Sequence, residues 1–492
     1  MNKWICFFQL LFPVWMYSEA TTAGFEDFDK FIEGERVHYK VPGVAVAIVK
    51  DDKIIFIKGY GLRKSDQNEN VDPDTIFQLA SLSKTFTAAG LAVQVDQNKL
   101  GWDDRIVKFL PGFELKDAYP TYYTTTRDLL AHRTGLPAFG GDLLSNLGYT
   151  ADEVLARIKY IEPASSFREK ANYSNVGFFT AGQVLAKISG MSFDKAIQTT
   201  LLTPLRMTRT GFWEGLDKSN IASGHALVDG QVKVVPFDKS VLFAPAGGVT
   251  STAHDLSKWM IMHLNGGSFE GVHVLKPETV NALFEPSMVS ELSFAELPPI
   301  NAHSSFSFGM GWDNFHFQGK YIVEKAGAMA GVRTVITLVP EAKIGIVVLA
   351  NMNLTILPEV IRAKFLSMNF GTGGEDFEKE FAESAKVLAK VLEPPALPQV
   401  VLPMGHTLDQ YTGEYESELY GKLRVIKTND HLAVEGGPGR LPGTLKHFSN
   451  DTFLLKWEGL NRGHGEATFT FGPDGNGVEL QVDAYGAYRK KT

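Results

Sequence analysis

Ser81 and Lys84 stand three residues apart in the stretch Phe77-Gln78-Leu79-Ala80-Ser81-Leu82-Ser83-Lys84-Thr85-Phe86, which reads as the mouth of a helix running on through Leu91 and Val95. Residues three apart share one face of a helix. A serine hydroxyl is a poor nucleophile until a base takes its proton. A lysine is such a base only when burial or a neighbouring cation lowers its pKa. A backbone N–H at a helix start can also steady a developing oxyanion. One helical turn thus offers nucleophile, base and part of an oxyanion hole. The motif alone is weak, because Ser192-Phe193-Asp194-Lys195 repeats it. An isolated Ser-x-x-Lys is ordinarily a helix cap with a solvated lysine.

Two later stretches supply partners. Asn172-Tyr173-Ser174-Asn175 sits just before a helical run from Val176. A tyrosine near cationic lysines can have a depressed pKa and act as general base or acid. Asn175 can donate to a substrate amide. The ordinary reading of this stretch is a surface loop. The other is Glu324-Lys325-Ala326-Gly327-Ala328-Met329-Ala330-Gly331, between two strand-like runs. Its glycines let backbone lie close against a ligand, whereas an edge-strand lysine is the ordinary reading.

With Ser81–Lys84, Tyr173–Asn175 and Lys325–Gly327 in that order, the chain resembles the serine β-lactamase and penicillin-binding superfamily. The branch is that of class C β-lactamases, D-alanyl-D-alanine carboxypeptidases and esterases. The flanks agree: Asp128-Leu129-Leu130-Ala131-His132-Arg133-Thr134-Gly135-Leu136-Pro137, Pro204-Leu205-Arg206-Met207, Ala246-Gly247-Gly248-Val249-Thr250-Ser251-Thr252-Ala253 and Phe308-Gly309-Met310-Gly311-Trp312. The resemblance spans residues 25–370 and implies a role for each motif residue. Ser81 is the acylated nucleophile. Lys84 and Tyr173 relay its proton and protonate the leaving group. Asn175 orients substrate, and Lys325 brings positive charge beside Tyr173. Gly327 completes the third motif. The backbone N–H groups of Ser81 and Ala328 form the oxyanion hole. Ser192–Lys195, before the Pro-Leu-Arg-Met run, is then structural.

One position departs from that pattern. Carboxypeptidases and β-lactamases usually carry Thr or Ser between the third-motif lysine and glycine, and its hydroxyl helps hold the substrate carboxylate. Here it is Ala326. One missing hydrogen bond weakens binding by about 1–2 kcal/mol. The expectation is a serine hydrolase acting on an ester, amide or peptide, with weak or no β-lactamase activity.

The elements that must position these residues are legible in outline. Strand-like runs occur at Val44–Val49 and Ile54–Ile57, and again at Tyr321–Val323, Arg333–Val339 and Ile344–Ala350, with helical patterns between and a final helix near Leu357–Phe370. The plan is α+β: an antiparallel sheet flanked by helices, built from both ends of the region, with a helical region inserted. Residues 21–390 form this domain. Glu375–Val391 reads as a charged helix, and residues 391–407 as a Pro-rich linker. Residues 408–492 turn to short alternating strands, a small all-β sandwich or barrel. That segment resembles the lipocalin-like modules often appended to this family.

Composition sets the outer bounds. The chain has 492 residues, 44% hydrophobic and 21% charged, enough for two or three globular domains. A net charge of −8 argues against nucleic-acid binding. Lys3, the apolar run Trp4–Met16 and small residues at Ser18 and Ala20 read as a signal peptide over residues 1–20. The expectation is a secreted, extracellular protein without a membrane span. Cys6, the only cysteine, lies in that segment, so the mature chain has no disulfide. Sequons at Asn353 and Asn450 are candidate glycan sites; a third, at Asn172, would abut the cleft. There is no Gly-x-Ser-x-Gly elbow and no zinc spacing, so neither metal nor cofactor is expected. A second reading is non-enzymatic: relatives that resemble β-lactamases occur in calcified shell matrices, and such a chain could serve as an extracellular matrix component with the fold retained.

Overall fold

A computed structural model describes residues 24–228, 230–237, 239, 242–290, 306–371, 400–429, 431–458, 465–483 and 485–491. The expected signal segment, the helix expected at 375–391 and most of the expected Pro-rich linker lie outside the described residues.

An antiparallel sheet of eight strands carries the larger domain. In chain order these are β1 (Gly43–Lys50), β2 (Lys53–Gly61), β3 (Met288–Ser290), β4 (Phe306–Phe308), β5 (Asp313–Phe317), β6 (Lys320–Met329), β7 (Val332–Val339) and β8 (Ile344–Ala350). Their spatial order is β2-β1-β8-β7-β6-β5-β4-β3. The N-terminal hairpin thus joins the C-terminal strands, as the sequence suggested. Asp51 and Asp52 turn that hairpin with positive φ, a conformation aspartate tolerates better than most residues.

Period-two alternation divides each central strand between two cores. Val44, Val46 and Ile48 pack with Phe28 and Ile32 of the helix Glu26–His38 and with Leu357, Ile361 and Phe365 of the helix Leu357–Phe370. Ala45, Ala47 and Val49 face the inserted helical region. Both faces are covered, which is why β1 and β8 read as nearly unbroken apolar runs and why β7 is buried along its whole length. On the second face the helix Ser83–Asp96 is buried almost all round. Phe86 stacks on Trp259 with ring centres 4.1 Å apart. Burying a helix on all sides removes its freedom to tilt or slide, and it is this helix that holds Lys84.

The C-terminal segment is a closed eight-stranded barrel of consecutive antiparallel strands from Gly413–Ser417 to Gly486–Lys490. Closure leaves no edge. Tyr411, Tyr415, Phe453 and Phe469 pack edge to face in its interior. Three strands were not read from sequence: Gly413–Ser417, Leu441–Ser449 and Gly486–Lys490. Pro442 and Gly443 mask the start of the second, because both are depleted in strands. The barrel sits directly on the larger domain. Gly439 N–H donates to Leu147 O at 2.8 Å, Tyr149 Oη to Tyr420 O at 3.1 Å, and Arg157 Nη1 to Glu418 O at 2.6 Å.

Among the described residues no helix is long and apolar enough to cross a membrane.

Candidate active site

Ser81 lies on the single 3₁₀ turn Ala80–Leu82, immediately before the buried helix. Ala80 has φ of +50°, a left-handed conformation that costs a non-glycine residue free energy. The turn is held from below. The Leu79 carbonyl accepts from Leu82 N–H and from the Thr334 hydroxyl of β7. The Gly327 position of β6 backs onto it. A Cβ there would collide with Leu79 O and the Thr334 hydroxyl and would come within 3.1 Å of Ser81 N. Only glycine allows strand and turn this close.

Lys84 Nζ has three oxygen neighbours: Ser81 Oγ at 3.1 Å, Asn175 Oδ1 at 2.7 Å and Ala246 O at 2.9 Å. Burial pushes its pKa well down, and the nearby charge of Lys325 adds to the effect; Asp142 and Asp313 oppose it. A neutral amine has two N–H groups and one lone pair. The two carbonyl oxygens take the N–H groups. The lone pair is left for the Ser81 hydroxyl, the arrangement a general base needs.

Tyr173 Oη lies 2.6 Å from Ser81 Oγ. The depressed pKa considered from sequence is not what the surroundings produce. Burial pushes this phenol far above its ordinary value, outweighing the bond to Ser81. Lys84 Nζ is 4.6 Å and Lys325 Nζ 5.4 Å from the ring centre, but the second ammonium is not bare. Lys325 Nζ binds Asp313 Oδ1 at 2.8 Å. In this arrangement Tyr173 donates to Ser81 Oγ, and Lys84 is the group placed to accept a proton.

The sequence missed three supporting residues. Asp313, on β5 beside β6, partners Lys325; burial raises its own pKa and Lys325 pulls it back. Asp142 Oδ2 accepts from Asn175 Nδ2 at 2.7 Å. A carboxylate that accepts fixes the amide's orientation, oxygen towards Lys84. In this structure Asn175 therefore positions the base, whereas the family pattern implied only substrate contact. His132 stacks on Tyr173 with ring centres 4.4 Å apart, and its Nδ1 accepts from Ser174 N–H at 3.0 Å. Burial, reinforced by the charge of Lys325, pushes the His132 pKa well down. Its positive φ of +57° marks a constrained backbone that the sequence shows only as one residue of a flanking run.

Pleating puts Lys325 and Gly327 on the buried face of β6 and Ala326 and Ala328 on the open one. Ser81 is half-buried and Ala328 exposed, so solvent reaches the nucleophile. The rival pair is disposed otherwise. Ser192 and Lys195 are both exposed at the start of the short helix Phe193–Ile197. Of the sequon asparagines, Asn450 is exposed on a turn with φ of +51°. Asn353 is buried, with no hydrogen-bond partner for Oδ1, a poor seat for a glycan. Asn172 Nδ2 is engaged by Ser165 Oγ at 2.6 Å. Among the described residues no three acidic, histidine or cysteine side chains are grouped to hold a metal ion.

A buried lysine and a tyrosine flanking one serine define an acyl-transfer serine site, and the comparisons agree on its family. The beta-lactamase family profile matches residues 28–365, and the chain belongs to that family. Residues 398–491 match a domain of unknown function, DUF3471. The chain is 27% identical over 484 residues to "Unguisins hydrolase ungD'" of Aspergillus campestris, covering 92% of this chain and 88% of that one. It is 27% identical to "Protein flp" of Staphylococcus aureus over 68% of this chain and 65% of that protein, a little under two thirds of its length. The octameric penicillin-binding protein homologue from Pyrococcus abyssi superposes with a TM-score of 0.62 at 22% identity, covering 94% of this chain and 99% of that one. The class C beta lactamase from Rhodobacter sphaeroides gives 0.57 at 21% identity, over 71% of this chain and 99% of that one. Both structural likenesses concern the fold.

Proposed function

We propose that this protein is a secreted serine hydrolase that works through an acyl-Ser81 intermediate on an ester, amide or peptide, with weak or no β-lactamase activity. The observation that carries the reading is the placement of Ser81 Oγ between Lys84 Nζ at 3.1 Å and Tyr173 Oη at 2.6 Å. Neutral Lys84 takes the Ser81 proton as Oγ attacks the carbonyl. The N–H groups of Ser81 and Ala328 receive the oxyanion. Tyr173 gives its proton to the leaving alkoxide or amine and recovers one from the Lys84 ammonium. Water then replaces the leaving group, and the same residues run in reverse to free the acid.

Ala326 supports the substrate preference. It occupies the open face of β6 with no hydroxyl to hold a substrate carboxylate. The hydrolase name of the Aspergillus relative is consistent with amide or ester cleavage. Export rests on the pattern of residues 1–20, and a glycan at Asn450 on its exposure.

Labelling with an active-serine phosphonate tests the reading. Wild-type protein is expected to label and Ser81→Ala not to. Labelling that ignores Ser81, or none in the wild type, would turn the interpretation towards a matrix protein with the fold retained. Turnover of short acyl esters against penicillins tests the preference, and efficient penicillin hydrolysis would overturn it.

A further inference from the structure

The barrel reaches the catalytic base through an unbroken series of contacts. The tip of its first hairpin, between the strands Gly413–Ser417 and Gly421–Lys427, presents Tyr420. This side chain is buried against the larger domain. Tyr420 Oη accepts from Gly141 N–H at 3.3 Å. The next residue is Asp142, whose carboxylate accepts from Asn175 at 2.7 Å. Asn175 in turn accepts from Lys84 Nζ at 2.7 Å, and Lys84 meets Ser81 Oγ at 3.1 Å. Gly141 has φ of +83° in a connecting segment outside the regular elements. Glycine enters that conformation without strain.

The fit between the two domains is close enough to transmit position. The Gly421 position allows no Cβ against the Tyr149 hydroxyl, and a Cβ at Gly148 would lie 2.8 Å from Gly439. Tyr149 donates to Tyr420 O at 3.1 Å, and Ser417 Oγ accepts from Tyr420 N–H at 3.3 Å. The hairpin tip is thus clamped from both sides of Tyr420.

We infer that Tyr420 of the barrel is a positioning residue for the hydrolytic reaction: through Gly141 and Asp142 it sets the orientation of Asn175, and so directs Lys84 at Ser81. This rests on the hydrolase reading above. It assigns the appended barrel a part in catalysis without any contact to substrate. The barrel is then an integral component of the active enzyme.

The test is a double-mutant cycle on the full-length protein, read by the rate of Ser81 phosphonylation and by kcat and KM on an ester it turns over. Tyr420→Phe deletes only the hydroxyl. Its kcat is expected to fall about fivefold, the rate equivalent of one neutral hydrogen bond, with KM and melting temperature nearly unchanged. In an Asp142→Asn background the same change should have little further effect, because coupled residues are non-additive. Arg157→Met removes the interface bond to Glu418 O without touching Tyr420 or Gly141; it should lower the melting temperature and leave kcat alone. Ser417→Ala is the milder variant should Tyr420→Phe not fold, with a smaller loss of kcat that also vanishes with Asp142→Asn. Multiplicative losses, an unchanged kcat in Tyr420→Phe, or equal losses in Arg157→Met would overturn the inference and leave the hydrolase reading standing. A wild-type protein that does not label would overturn both.

Discussion

Tyr173 Oη lies 2.6 Å from Ser81 Oγ, yet burial keeps the phenol protonated far above its ordinary range. The hydroxyl nearest the nucleophile is therefore its proton source and not its base. In the proposed mechanism that division of labour leaves the role of base to Lys84, whose pKa burial and the charge of Lys325 push well down. Two groups pushed in opposite directions within one site form a matched acid and base.

Protonation of Lys84 removes the base, so activity should rise with pH along a limb lying well below the ordinary lysine range. Lys325 helps hold that limb down. Lys325→Met removes the neighbouring charge and leaves Asp313 without its partner, and both changes favour protonated Lys84. The limb in a kcat/KM–pH profile should move upward by on the order of one unit. A limb that stays or moves down would contradict the assignment.

Gly327→Ala tests the close approach of β6 to the nucleophile turn. The added methyl meets Leu79 O and Thr334 Oγ1, and backbone cannot yield as a flexible side chain does. A loss of about 1–3 kcal/mol in urea unfolding is expected. A fall in Ser81 labelling rate should exceed that seen for an equally destabilised variant elsewhere.

Ala326→Thr restores the hydroxyl that carboxylate-binding relatives carry. Turnover of a penicillin should rise by about tenfold, matching one added hydrogen bond of about 1–2 kcal/mol, while turnover of a short neutral ester changes little. An equal rise for both substrates would show that the position does not sense the carboxylate.

His263 provides an acid-stability test away from the site. It is buried beside Trp259 and Trp312, with ring centres 4.5 and 5.1 Å away. Burial holds its pKa at about 4, against a bond to Trp259 O that favours the charged form. In the unfolded chain it binds its proton near pH 6.5, so the unfolded state holds more protons between those values. Stability should therefore fall as pH drops from about 6.5 to about 4, by at most about 3 kcal/mol. His263→Phe should flatten that part of the urea-midpoint profile, and an unchanged slope would remove His263 as its source.

The sequence by itself determined the nucleophile candidate, its two partner motifs, the α+β plan and the change to short strands after residue 408. Each depends on residue type at fixed local spacing or on periodicity, and both are properties of the chain read in order. The order of the three motifs already favoured Ser81–Lys84 over Ser192–Lys195, and the tertiary structure supplies the physical difference: Lys84 is buried and Ser192 exposed, which depends on distant packing. Nor could local spacing show that Asp313 pairs with Lys325, that Asp142 orients Asn175, or that Tyr173 is held protonated. Those facts rest on which side chains the sheet, the buried helix and the barrel bring together, and on how much water the packing excludes. A pKa is set by that environment and not by the neighbours in sequence. The chain's order names the chemical groups, and the fold assigns their charge states and partners.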